Sequence, residues 1–109
     1  MESGLSELGR YAGPATLVLS SLAAGPKHGY ALIKDIEEFA GMTLGPGTLY
    51  GALGRLEGQG LIAAVGPEGR RRPYRLTTSG GAALAVQLAG QRRVAEVGLR
   101  RLAVAGSGP

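Results

Sequence analysis

Apolar positions along this chain fall into helical stripes and one short alternating stretch. Between Ala15 and Ala23, residues Ala15, Val18, Leu19, Leu22 and Ala23 recur at i, i+3, i+4, i+7 and i+8, which places them on one face of a helix. Pro14 suits its first turn, and Gly25-Pro26 stops it. A second helix is predicted from about Tyr30 to Ala40. There Leu32, Ile33, Ile36, Phe39 and Ala40 repeat the pattern, Lys34, Asp35, Glu37 and Glu38 take the solvent side, and Gly41 ends the run. The stretch LGPGTLYGALGRLEGQGLI, residues 44–62, holds a third helix. Leu49, Ala52, Leu53 and Leu56 form its stripe, with Pro46 at the first helical position behind Gly45 as N-cap.

The glycines of that third helix share a wheel position. Gly47, Gly51, Gly54 and Gly58 lie at i, i+4, i+7 and i+11, so they line one face nearly opposite the leucines, and that face carries almost no side-chain bulk. Each interior glycine costs roughly 0.5 to 1 kcal/mol of helix stability relative to alanine, so the segment depends on packing its leucine face into a core.

After Gly60 the period changes. LIAAV is short, apolar and bounded by Gly66-Pro67, while RPYRLT alternates, with Tyr74 and Leu76 on one side and Arg75 and Thr77 on the other. Two strands joined by PEGRR make a hairpin, with Pro73 at an edge or a strand start because it cannot donate to a ladder. From Thr77 or Thr78 as N-cap, a last long helix runs to about Ala103 and carries Leu84, Leu88, Ala95, Leu99 and Leu102 along a stripe wider than so small a domain buries alone. A partner helix is implied.

The predicted fold is therefore mainly α with a small β-hairpin wing: a winged helix-turn-helix plus a long C-terminal dimerisation helix. Residues 1–13 are expected to form a flexible arm, 14–77 the winged helix-turn-helix, 78–105 the dimerisation helix and 106–109 a tail. In such a unit the second helix of the pair enters the major groove, its N-terminal turn offering side chains to bases and backbone amides to phosphates. Thr48, Tyr50 and Arg55 flank the glycine face, and Gly47 lets the backbone come close to a phosphate.

Charge agrees with an anionic partner. Residues 1–40 hold three bases against five acids, residues 41–75 hold five arginines against Glu57 and Glu68, and residues 76–109 add Arg92, Arg93, Arg100 and Arg101 against Glu96 alone. The net charge is +4, concentrated in the middle and C-terminal parts. Arg70, Arg71 and Arg72 at the hairpin tip are the phosphate-contact candidates, because a guanidinium on a protruding loop reaches a groove wall and binds a phosphate oxygen in bidentate fashion. Lys27, beside the start of the second helix, is a further backbone-contact candidate. For the four arginines of the last helix an ordinary solvated face is the simpler reading.

Other chemistry finds little support. At 109 residues the chain is the size of one domain, no apolar run reaches a membrane span, and no basic segment followed by an apolar one marks secretion, so a cytoplasmic protein without membrane association is expected. There is no cysteine, and His28 is the single histidine, which suits a helix-start residue better than a metal ligand. As a nucleotide loop the glycine stretch fails: GxGxxG would need glycine at Tyr50, and GxxxxGK would need a lysine where Arg55 is near. Asp35, Glu37 and Glu38 have no histidine or lysine partner in the pattern, so neither catalysis nor a cofactor is expected.

Three runs, KHGYALIKDIEE, GPGTLYGALGRLEGQGLI and RRRPYRLTTSG, together resemble the PadR family of bacterial transcriptional regulators over about residues 14–103. The most specific elements are HGY, GTLY followed by ALxRLExxGLI, and YRLTxxG, all in order at compatible spacing. The resemblance implies a homodimeric winged-helix repressor whose third helix reads the major groove, whose wing touches the backbone or minor groove, and whose C-terminal helices pair. Gly51 and Gly54 depart from the proline and the basic or polar residue frequent there in the family, which shifts specificity to the first turn. The C-terminal helix has no tryptophan, so an aromatic drug-binding pore is not implied.

The expected partners are double-stranded DNA and a second copy of the chain, while the existence of a small-molecule effector is left open by the sequence. Two other readings compete. One is a winged-helix protein-interaction module without DNA reading, motivated by the bare outer face of the third helix. The other is a ligand-binding scaffold with an apolar cavity at the dimer interface, against which the small residues of the last helix speak.

Overall fold

The computed structural model describes residues 13–66 and 72–106. Its elements are α1 (Gly13–Leu22), α2 (Gly29–Ala40), α3 (Pro46–Gly58), β1 (Ile62–Ala64), β2 (Tyr74–Leu76) and α4 (Thr78–Gly106). The helical stripes read from the sequence converge on one core, centred on the side chains of Val18, Leu32, Ile36, Leu49, Leu53 and Ile62.

α1 is the centre of the packing, touching α2, α3, α4 and β2. Its burial therefore goes beyond a single stripe: Thr16, Leu17 and Ser21 are enclosed along with Val18, Leu19 and Leu22. Ala23, assigned to the stripe from sequence, is exposed, because the helix closes at Leu22 and the chain turns there. α2 ends as expected at Gly41, whose φ of 68° and ψ of 19° lie in the left-handed region open to glycine, with its N–H donating to the Glu37 carbonyl. Phe39 departs from the expected stripe and stays 50% exposed. The buried residues of α2, namely Gly29, Leu32 and Ile36, all fall in its first eight positions, and Phe39 lies past the surface they pack on.

α3 begins with Gly45 as N-cap and Pro46 at the first position, and it buries Leu49, Ala52, Leu53 and Leu56, the four residues of the predicted stripe. β1 and β2 pair antiparallel in the register Ile62 with Leu76, Ala63 with Arg75 and Ala64 with Tyr74. Pro73 stands at the start of β2, where its carbonyl accepts from the Val65 N–H at 2.8 Å. The sheet has one feature beyond a hairpin: Lys27 bridges to Tyr74 in antiparallel fashion along the other edge of β2.

Thr77 caps α4, its hydroxyl oxygen accepting from the Gly80 N–H at 3.0 Å and its hydroxyl donating to the Gly60 carbonyl at 2.8 Å. The helix runs to Gly106, a few residues beyond the expected end, and at 29 residues it is about 43 Å long. Of the five residues assigned to dimerisation, Leu84 is corrected: it is 6% exposed and belongs to the core of its own chain. The domain covers α4 only up to that point, and Leu88, Ala95, Leu99 and Leu102 continue the stripe as exposed residues. Among the described residues no helix is long and apolar enough to cross a membrane.

Candidate nucleic-acid interface

Burying the leucine face of α3 fixes what the opposite face presents. Gly47, Gly51, Gly54 and Gly58 are all exposed, and a β-carbon added at Gly47, Gly54 or Gly58 would meet open space. Gly51 differs. The Nη1 atom of Arg55 lies 3.5 Å from where its β-carbon would stand, so the guanidinium folds back one turn over the glycine. Arg55 thereby places a cation and its donors on the otherwise bare face.

Thr48, two turns ahead of Arg55 on the same edge, is exposed. Tyr50 stands on the opposite edge, 56% exposed, and its ring reaches across to the first turn of α2. Its hydroxyl oxygen is 2.5 Å and its Cζ atom 3.0 Å from the position a β-carbon at Gly29 would take. The glycine of HGY is thus the residue that lets the tyrosine of GTLY cross the two helices. His28 occupies the N-cap position of α2 without a side-chain capping bond, in keeping with its reading as a helix-start residue.

The remaining sequence candidates separate. Arg70 and Arg71 lie outside the described residues. Arg72 stands just before β2 rather than at the tip, with its Nη2 atom 4.0 Å from Oε2 of Glu57 in the last turn of α3; both side chains are about a third exposed, 31% and 39%. Lys27 turns inward. Its Nζ donates to the Ser21 carbonyl at 2.5 Å and stands 3.8 Å from Asp35 Oδ2, which leaves the side chain 19% exposed.

Three contributors escaped sequence reasoning. Gly29 had a signal, a glycine beside a tyrosine at a helix start. Ser21 and Asp35 had none, because their pairing joins α1 to α2 through space: the buried Ser21 hydroxyl donates to Asp35 Oδ2 at 2.6 Å. Arg75, exposed on the outer side of β2, follows from the strand alternation and joins the basic residues available near the wing.

Comparison with known proteins agrees with this geometry. The sequence model of the Transcriptional regulator PadR-like family matches residues 18–86. A PadR family transcriptional regulator from Eggerthella lenta DSM 2243 is 36% identical, with a TM-score of 0.74 over 93% of this chain and 89% of that one. A PadR family transcription regulator from Clostridium difficile R20291 is 30% identical, with a TM-score of 0.73 over 82% of this chain and 97% of that one. An uncharacterised 37.1 kDa protein in transposon Tn4556 of Streptomyces fradiae is 53% identical over 64 residues, 59% of this chain. That match spans only 19% of the length of the transposon protein.

Proposed function

The chain belongs to the PadR-like family of transcriptional regulators, and on that premise we propose that it acts as a repressor, binding a pseudo-palindromic operator as a homodimer. DNA-binding control of transcription comes with the family; the repressor role, the operator symmetry and the dimer are added here.

The observation that carries the reading is the division of α3 into two faces. One is locked into the core by Leu49, Ala52, Leu53 and Leu56, and the other is exposed, almost free of side chains and crossed by the Arg55 guanidinium. A helix so bare sits deep in a major groove. Thr48 and Tyr50 in the first turns and Arg55 further along supply the polar contacts, and arginine is the side chain suited to bidentate contact with guanine. Arg70, Arg71 and Arg72 then meet phosphates beside the groove, and Gly47 allows the start of the helix to approach the backbone. Lys27 is removed from this set, because its ammonium already has Ser21 and Asp35 as partners.

Dimerisation rests on α4. Leu88, Leu99 and Leu102 are 41%, 68% and 70% exposed along one stripe, with Ala95 between them. Fully burying such side chains is worth roughly 1.5–3 kcal/mol each, a contribution that pairing of two copies would set against the entropy of association. Pairing of the two helices sets the recognition helices about one turn of DNA apart, some 34 Å, and bound protein then occludes the promoter. An effector, if one exists, would act by favouring a dimer geometry whose helix spacing no longer fits both half-sites.

The test is a fluorescence anisotropy titration with the DNA upstream of the chain's own gene, an unrelated duplex as competitor, and salt varied. Tight, competitor-resistant binding with a stoichiometry of two chains per duplex is expected. Monomeric binding overturns the dimer, and equal affinity for both duplexes overturns this DNA as the operator. Failure to bind any duplex at low salt returns the choice to a protein-interaction module.

A further inference from the structure

Lys27 makes hydrogen-bond or ion-pair contacts with three elements, β2, α1 and α2. Its N–H donates to the Tyr74 carbonyl at 3.1 Å, and its carbonyl accepts from the Tyr74 N–H at 2.9 Å, so the backbone adds a one-residue third strand to the wing. Its side chain runs the other way, into the helices. The ammonium holds the Ser21 carbonyl, one of the last carbonyls of α1, which also accepts from the Ala24 N–H at 3.2 Å in the turn that closes the helix. It also faces Asp35 of α2, whose Oδ2 in turn takes the hydroxyl proton of the buried Ser21. A single residue therefore adds a polar link among β2, α1 and α2 to the apolar packing they share.

Such a knot matters because the wing is small. β1 and β2 contribute three residues each, and a two-stranded ribbon of that length holds its orientation only through what it packs against. We propose that Lys27 is a positioning residue for DNA binding: through Ser21 and Asp35 it sets the angle between the wing and the helix-turn-helix, and it touches no phosphate itself. The inference rests on the DNA-binding reading above.

The test uses Lys27→Met, which keeps the aliphatic stem, and Asp35→Asn, which keeps the shape of its partner. Amide hydrogen exchange on the protein without DNA comes first. Exchange at Tyr74, whose N–H donates to Lys27, is expected to accelerate about tenfold in both variants, while exchange at Val65, bonded across the hairpin to Pro73, stays unchanged. Equal acceleration at both amides means general loosening and overturns the proposal. DNA affinity follows. Both substitutions are expected to weaken it about fivefold, with the double variant no weaker than either single one.

The Asp35 result has a diagnostic sign, since removing an acid ordinarily strengthens binding to a polyanion. The salt slope of Lys27→Met is expected to match that of the wild type. A slope reduced by about one phosphate contact, with Tyr74 exchange unchanged, would make Lys27 an ordinary phosphate ligand and overturn the proposal. A wild-type protein that binds no duplex overturns the DNA-binding reading instead, a separate result because the exchange data are taken without DNA.

Discussion

Gly80 lies so close to Leu61 that a β-carbon on the glycine would overlap the leucine carbonyl oxygen, with the Leu61 carbonyl carbon and Leu76 Cδ1 each 2.9 Å away. The first turn of α4 is thereby seated on the chain leaving α3. Thr77 holds the same joint from its other side, through its N–H to the Leu61 carbonyl at 3.1 Å and its hydroxyl to Gly60.

Two opposing effects meet in Gly80→Ala. Alanine in place of a helical glycine gains up to about 1 kcal/mol from propensity, whereas forcing a methyl into a backbone contact costs about 1–3 kcal/mol or more. Because the obstructing atom is backbone, the second effect is expected to prevail, seen as a lower urea midpoint. Gly90→Ala is the control. Apart from its own helix backbone, nothing comes within 4 Å of a β-carbon there, so a gain of roughly 0.5–1 kcal/mol is expected.

At Gly29 the obstruction is a side chain, and the outcome differs. Tyr50 swings away when Gly29→Ala places a methyl 2.5 Å from its hydroxyl position, so stability is expected to change by less than about 1 kcal/mol. DNA affinity is expected to fall several-fold. In a double-mutant cycle with Tyr50→Ala the two losses should overlap rather than add, and additive losses would detach Gly29 from the tyrosine.

Arg55→Ala removes the cation that lies over Gly51 on the glycine face. If Arg55 reads a base, the substitution costs about 1–3 kcal/mol against the operator and far less against an unrelated duplex. Uniform weakening with a shallower salt slope would assign it to a phosphate. Alanine at Arg70, Arg71 and Arg72 together is expected to give that second pattern, measured by anisotropy over a range of salt.

The apolar stripe of α4 divides into two tests. Leu84→Ala empties a core position and is expected to cost 2–5 kcal/mol of folding stability, read by denaturant titration at fixed protein concentration. Leu99→Asp leaves the domain's own core intact and is expected to shift sedimentation from dimer to monomer. A Leu99→Asp protein that sediments as the wild type does would move the pairing surface elsewhere.

Local periodicity made the helices and the two strands legible. Leu49, Ala52, Leu53 and Leu56 announced both the helix and its buried face, and through them the exposed glycine face opposite. Periodicity does not say where a neighbour stops. Leu84 and Leu88 share a stripe yet fall on either side of the domain's edge, and Phe39 fails in the same way at the end of α2. The inward turn of Lys27 was illegible for another reason: its partners, Ser21 and Tyr74, are 6 and 47 residues away and meet only after folding. A lysine in a turn next to a helix start has the same sequence signature whether it faces a phosphate or a carbonyl.

The long reach of α4 beyond its seat gives it leverage. Anchored at Thr77 and Gly80 and covered only as far as Leu84, it is a long arm seated beside the end of α3, the helix proposed above to meet DNA. Over its length of about 43 Å, a tilt of about 5° at the seat carries the far end some 4 Å. Read in reverse, a displacement of that size among the last turns, where Leu99 and Leu102 are exposed, reaches the Leu61 seat as a rotation of only a few degrees. In the proposed dimer, coarse motion at the far end of α4 would thus become fine adjustment at its seat.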